Sequence, residues 1–367
     1  MSNNNNESHV LAERRGHLGI LTLNRPQALN ALSLQMIRDV TGQLLAWRDD
    51  PQVGAVLLRG ANRPGKAPAF CAGGDIRYFH AAALAGDPTL EDFFSEEYAL
   101  NHLIHTFGKP TFVLMDGITM GGGMGLAQGC SLRVVTEHGK LAMPETNIGL
   151  FPDVGGGWFL AQAPGHLGEF LGLSGHVLGA ADALAVGWAD ICVKAERLDA
   201  LVQAIADGTA VDGVGALSAV NVFAVDPGSA PLAAHAGMIE RVFAAPDLAG
   251  IVAALAAEQG EFAGAQSKAL AQRSPLMMAV TLEQIRRART MTLADDLRME
   301  RGLVRHCFHL RPGTASETLE GIRALAVDKD HAPRWSPATV GEVDAAMIDA
   351  FFASPWPAHA HPLRDLD

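Results

Sequence analysis

Two carboxylates stand by themselves in MPETNIGLFPDVGGG, residues 143–157. Glu145 follows one proline; Asp153 follows another and precedes a run of three glycines, and no lysine or arginine lies in the stretch. An acid kept from water without a countercharge holds its proton more tightly, so it can serve as a base or a nucleophile near neutral pH. A third acid is placed in a similar way. In TLEDFFSEEYALNHLIHTF (89–107) the residues Phe93, Leu100, Ile104 and Phe107 recur in helical steps, and Glu97 falls on their stripe while Glu96 points away. A carboxylate on a buried face is costly unless something pairs with it. Two glycine turns, AFCAGGDI (69–76) and DGITMGGGMGL (116–126), each follow a strand end. Glycines at such places leave backbone N–H groups bare and close to a ligand, and two turns can converge on one carbonyl oxygen.

Other chemical signals fail on inspection. GANRPGKA (60–67) approximates a phosphate loop but lacks the hydroxyl residue after its lysine, and Pro68 blocks the helix that should follow. GGGMGLAQG (121–129) does not satisfy the dinucleotide fingerprint, and no GxSxG nucleophile elbow occurs. His102/His105 and His306/His309 are spaced i,i+3 without an HExxH pattern, which reads as partly exposed helix pairs rather than a metal site. Cys71 beside a glycine pair reads as a packed thiol, since no base is in view.

The elements that must position these residues follow from local pattern. Residues 9–24 read as two short strands turning at Arg15-Gly16-His17, and Ser33 as the N-cap of a helix with Ile37, Val40, Leu44 and Trp47 inward. VGAVLLRG (53–60), TFVLM (111–115) and LRVVT (132–136) read as buried-strand runs. Strands alternating with helices predict an α/β core. From 198 to 266 the composition turns alanine-rich and helical, and a helix capped by Thr292 then carries Leu293, Leu297, Val304 and Phe308 on one stripe. We therefore expect a core over 9–197 and an appended helical region over 198–367.

Composition narrows the partners. Hydrophobic residues make up 49% and charged residues 19%, which supplies a core and excludes a disordered chain. A net charge of −12 without a basic block argues against nucleic acid or an anionic membrane surface as partner. The polar start MSNNNNESHV has no apolar segment of a signal peptide, and apolar runs elsewhere are broken before spanning length. Four cysteines without a CxxC fit reduced thiols, and a cytoplasmic location is expected.

FCAGGDI, MGGGMGL and PETNIGLFPD, in this order, resemble the crotonase (enoyl-CoA hydratase/isomerase) superfamily. LNRPQALNALSLQM (23–36), EEYALN (96–101) and EGIRALAVDKDHAPRWSP (320–337) are most similar to its 3-hydroxyisobutyryl-CoA hydrolase subgroup. The resemblance implies a spiral of ββα turns followed by helices that often mediate trimer contacts, which leaves a homo-oligomer open. It implies an acyl-CoA substrate, with coenzyme A part of that substrate and no separate cofactor or metal. By the resemblance, Gly74 and Gly122 supply the backbone N–H pair for the thioester oxygen; losing one such donor typically raises the barrier by roughly 3 kcal/mol. Glu145 and Asp153 match the working acids of the hydrolase subgroup, and Glu97 and Gly122 its substrate contacts. Hydratase members carry a second glutamate just after the glycine turn, where this chain has Gly125. Glu145 is then either a nucleophile that forms an anhydride or a general base for water, with Asp153 orienting the substrate hydroxyl or the water. A hydratase or isomerase using Glu145 alone is the second expectation, and a non-catalytic acyl-CoA binder the third. Arg25, Arg77 and Lys329 are candidates for the coenzyme A phosphates.

Overall fold

The structure is a computed structural model that describes residues 8–209 and 213–367; the polar residues 1–7, with the asparagine run, lie outside the described residues. By contact the chain forms two compact units, each gathered from three segments.

The first unit takes Met1–Gly74, Leu103–Leu141 and Gly179–Gly228. Strands β1 (Val10–Arg15) and β2 (Leu18–Leu23) form the expected antiparallel hairpin, with Arg15 opposite Leu18. β3 (Ala55–Gly60), β5 (Thr111–Met115), β7 (Leu132–Val135) and β9 (Ile191–Cys192) extend it in parallel, in the order β1-β2-β3-β5-β7-β9. Three short strands, β4 (Ala69–Cys71), β6 (Ile118–Met120) and β8 (Lys140–Ala142), make a second sheet in the order β4-β6-β8. Each of β3, β5 and β7 is therefore followed by a strand of the other sheet, the repeated strand–strand–helix order that was expected. Parallel neighbours cannot be joined by tight hairpins, so the chain leaves each sheet edge through such a crossover.

Burial explains the apolar runs. All six residues of β2 are buried, because helices cover both faces of the large sheet. On one face Leu18, Ile20, Leu57, Phe112 and Val134 pack with Leu201, Val202, Ile205 and Val220 of the Leu198–Thr209 and Gly213–Asn221 helices. The first two helices of the alanine-rich stretch thus group with the sheet, and residues from Ser229 onward group with the second unit. At Gly19 a Cβ would lie 2.7 Å from the Trp47 ring, so glycine there admits the helix Leu34–Arg48, which Ser33 caps as expected.

The second unit takes Asp75–His102, Ala142–Leu178 and Ser229–Asp367. It is helical, built around Pro275–Ala288 and Leu293–His309, whose Ser274 and Thr292 hydroxyls accept the Met277 and Asp295 N–H groups. Most of the Thr89–His105 helix also belongs here. Among the described residues no helix is long and apolar enough to cross a membrane, and no cluster of His, Cys, Asp and Glu could hold a metal ion. His102 is more buried than a partly exposed pair would be, with its Nε2 at 3.0 Å from the Asp367 carbonyl. Its neighbour His105 is exposed.

Candidate active site

In the first unit the two glycine turns lie against each other. Asn30, in left-handed backbone, donates from Nδ2 to the Ala61 and Ala69 carbonyls and fixes the chain entering β4. Ala72 N–H then donates to the Leu29 carbonyl, and Leu32 N–H to the Gly73 carbonyl, so the segment before Gly74 is tied on both sides. Gly73 has φ +100°, and a Cβ on it would sit 3.5 Å from the Gly122 nitrogen. A Cβ on Gly123 would come within 2.3 Å of the Cys71 carbonyl oxygen. Only glycines permit these two turns to approach so closely. Gly122 opens the Gly122–Gln128 helix, where the first N–H groups have no intrahelical acceptor. Gly125 is buried within that helix.

In the second unit three acids gather. Glu97, Glu145 and Asp153 are 2%, 6% and 5% exposed. Among the described residues no Lys, Arg or His pairs with any of them, and Glu97 Oε1 and Glu145 Oε2 have no hydrogen-bond partner. Glu97 lies on the buried stripe with Phe93, Leu100 and Ile104, as its spacing predicted. Burial, reinforced by the charges of Asp153 and Glu145, pushes the Glu97 carboxyl well above its ordinary range. Burial and then Asp153 do the same to Glu145. Asp153 is pushed up to about 6 by burial, against the opposing pull of a Tyr98 hydroxyl that donates to Oδ2 at 2.8 Å. Three neighbouring buried acids resist ionising together, since each charge raises the cost of the next.

Much of the dryness comes from an aromatic wall. Phe79, Phe93, Phe94 and Phe308 pack ring to ring at 4.7–6.4 Å, and Tyr98 joins them through Phe94.

The turn bearing Glu145, Glu145–Ile148, is strapped down from several directions. Thr146 Oγ1 donates to the Leu173 carbonyl, and Arg273 donates to Asn147 Oδ1 and the Ser174 carbonyl. Gly149 ends the turn at φ +64°, and a Cβ on it would meet the Glu317 carbonyl at 2.2 Å. A Cβ on Gly321 would likewise meet the Ile148 carbonyl at 2.3 Å. Thus the EGIRALAVDKDHAPRWSP segment begins as a backing plate for the Glu145 turn.

The turn bearing Asp153 is held by groups the sequence reading missed. Glu300 accepts the Gly155 N–H at 2.7 Å and the Gly157 N–H at 2.9 Å; Asp296 accepts the Trp158 N–H at 2.9 Å. Gln284 Nε2 donates to the Pro152 carbonyl at 2.7 Å and to Glu300 Oε1 at 2.9 Å. Glu300 and Asp296 sit on the face of Leu293–His309 that carries Leu297 and Val304. The rule that singled out Glu97, an acid on an apolar stripe, would have found Glu300 three residues after Leu297. Tyr98 was missed because the buried face of its helix is wider than the single stripe.

Of the phosphate candidates, Arg25 Nη1 donates to the Ala31 carbonyl in the first unit, while Arg77 and Lys329 are exposed in the second.

Residues 18–352 match the family model described as Enoyl-CoA hydratase/isomerase. The chain is 40% identical to the mitochondrial 3-hydroxyisobutyryl-CoA hydrolase of Rattus norvegicus, over 96% of this chain and 91% of that protein. It is 40% identical to the protein of the same name from Danio rerio, over 95% and 90%. Among solved structures it is similar to a carnitinyl-CoA dehydratase from Mycobacterium thermoresistibile, with TM-score 0.85 and 38% identity over 96% of this chain and 98% of that one. It is also similar to an enoyl-CoA hydratase from Rhodobacter sphaeroides, with TM-score 0.84 and 36% identity over 95% and 98%. This protein belongs to the enoyl-CoA hydratase/isomerase family.

Proposed function

We propose that the protein hydrolyses the thioester of 3-hydroxyisobutyryl-CoA, releasing 3-hydroxyisobutyrate and coenzyme A, as in valine breakdown. The observation that carries this reading is the group of buried acids Glu97, Glu145 and Asp153, with no cation among the described residues to neutralise them and Gly125 where a hydratase has its second glutamate. Such a group suits a substrate that brings its own hydroxyl donor. The names of the relatives, at 40% identity over nearly the whole chain, point to the same substrate.

In this reading the Gly74 and Gly122 N–H groups donate to the oxyanion that forms as the thioester carbon becomes tetrahedral. Glu145 acts in its ionised form. As a nucleophile it bonds to the acyl carbon and expels the coenzyme A thiolate, which leaves with a proton, and water then cleaves the anhydride. As a base it takes a proton from water, whose oxygen bonds to the same carbon; the tetrahedral intermediate then breaks its C–S bond, and the coenzyme A thiolate leaves with the proton that Glu145 took up. Asp153 orients the 3-hydroxyl or the water, and Glu97 contacts the substrate. Multiple turnover in ¹⁸O-water bears on the two routes: label in the Glu145 side chain identifies the nucleophilic route, in which water opens the anhydride at the Glu145 carboxyl carbon, and the base route places no label there.

The two structural relatives named as dehydratase and hydratase favour a second reading, hydration of a short enoyl-CoA with Glu145 as single base. One assay tests both. Thiol release from 3-hydroxyisobutyryl-CoA is followed beside loss of enoyl absorbance from crotonyl-CoA. Hydrolysis should dominate, because positioned acid–base groups contribute roughly 10²–10⁴-fold each and hydration has lost one. Hydration outrunning hydrolysis would promote the second reading. In the first reading the enzyme needs no metal or further cofactor. The expected compartment is the cytoplasm, whereas the named relatives are mitochondrial, so cell fractionation decides it.

A further inference from the structure

Between residues 152 and 158 the chain makes a tight turn whose polar backbone groups are claimed by three buried side chains. Gln284 holds the Pro152 carbonyl, Glu300 holds the Gly155 and Gly157 N–H groups, and Asp296 holds the Trp158 N–H. Glu300 and Asp296 are fully buried, and Gln284 bridges from the neighbouring helix to Glu300 Oε1. The fit is close, since a Cβ on Gly157 would lie 2.4 Å from Asp296 Oδ1 and 3.0 Å from Gln284 Nε2. Val154, a β-branched residue at φ +59°, stands between the working acid and this clamp. A left-handed valine persists only where its surroundings over-determine it. The turn also closes on itself, with Gly156 N–H donating to the Asp153 carbonyl at 2.8 Å.

Stability calls for acceptors here, because the Gly155, Gly157 and Trp158 N–H groups stand at the start of the helix Gly156–Ala161. Neutral acceptors would serve that need at less cost than two buried acids. What the pair supplies is direction: two acceptor oxygens on Glu300 fix two successive points of the turn. We propose that Glu300, backed by Asp296 and Gln284, is a positioning carboxylate that sets where Asp153 points. The inference rests on the reading of Asp153 as a working acid. Its consequence for geometry does not need a substrate. Asp153 is already reported by a neighbour, because Tyr98 donates to it, and the chain has only two tyrosines, Tyr78 and Tyr98.

The test uses full-length protein grown with tyrosine carrying ¹³C at the ring carbon that bears the hydroxyl. Two lines are expected, and the Tyr78→Phe variant assigns them. Other groups facing Asp153 that can move the Tyr98 line with pH are Glu97 on the same helix, Glu145, and Glu300 and Cys307 from Leu293–His309. Asp153→Asn therefore fixes which step belongs to Asp153. In Glu300→Gln an amide NH₂ must face a backbone N–H, so one donor of the turn loses its acceptor. In Gln284→Met the Pro152 carbonyl is released at nearly constant volume.

Both variants should shift the Tyr98 line and displace the step assigned to Asp153. Turnover of 3-hydroxyisobutyryl-CoA should fall on the order of 10²-fold, the effect of a misplacement of about 1 Å, with KM nearly unchanged. Calorimetry confirms that each variant is folded, and if Glu300→Gln is not, Gln284→Met carries the test. A Tyr98 line and an Asp153 step that stay put in a folded variant overturn the proposal, whatever the turnover. A moved line with wild-type protein that releases no thiol supports the positioning role and counts against the hydrolase reading instead.

Discussion

Tyr98→Phe removes one oxygen and little else. The ring that packs against Phe94 remains, so the aromatic wall is kept. What goes is the donor 2.8 Å from Asp153 Oδ2, and that donor favours the ionised acid. Its loss must therefore raise the pH at which Asp153 ionises. Hydrogen bonds to charged groups are worth roughly 1.5–3 kcal/mol, and 1.36 kcal/mol corresponds to one pH unit, so the shift is about one to two units upward from about 6. At pH 7 the ionised share then drops from roughly nine-tenths to between about a half and about a tenth. Where the ionised acid does the work, turnover at pH 7 falls roughly two- to tenfold and recovers by about pH 9. The assay is kcat against pH for thiol release from 3-hydroxyisobutyryl-CoA, wild type beside variant. A profile that superimposes on wild type, or a loss that persists undiminished at pH 9, would refute the reasoning.

Three further outcomes are expected. Glu145→Gln should abolish turnover yet stay folded and bind the coenzyme A ester, because the buried side chain already favours its neutral form, which the amide matches in shape; near-normal turnover removes Glu145 from the mechanism. Glu97→Ala should weaken substrate handling, seen as a raised KM or lowered kcat, and an enzyme unchanged in both would leave Glu97 a helix residue only. Stability should decline as pH rises from about 4 through 7, because Asp153 and Asp296 lie near about 6 and about 7 when folded against 3.8 ordinarily, so the folded chain holds protons that the unfolded chain has released. Below that window Glu91, held down at about 2 by His309 and Arg301, loses its contribution as pH falls. Thermal midpoints between pH 4.5 and 8 check this, and Asp296→Asn should flatten the decline; a midpoint that climbs steadily to pH 8 contradicts it.

The catalytic candidates were legible because they break a local rule. Glu97 interrupts an apolar stripe, and Glu145 and Asp153 interrupt uncharged runs, so a short window suffices to notice each. Strands β3 and β5 were legible for the opposite reason, since burial over most of their length leaves apolar runs. The supports were not. Gly157 is glycine because Asp296 and Gln284 approach it, and those residues come more than a hundred positions later in the chain. Gly149 and Gly321 likewise make room for each other's segments, and each alone reads as an ordinary turn or helix glycine. Contacts of that range leave no local periodicity to detect.

The backing of the Glu145 turn also sets a time order. Thr318 donates its hydroxyl to the Gly149 carbonyl across 169 residues of chain, and Glu317 and Gly321 press on the same turn. Glu145 is therefore translated long before the residues that back its turn. Domains generally fold as units, and the second unit draws its last segment from Ser229–Asp367. Nascent chains ending before residue 317 carry Glu145 in a turn that has the Leu173 and Arg273 contacts but lacks the Glu317–Gly321 backing. The turn that carries Glu145 thus gains its full backing only after Glu317, Thr318 and Gly321 have joined the chain.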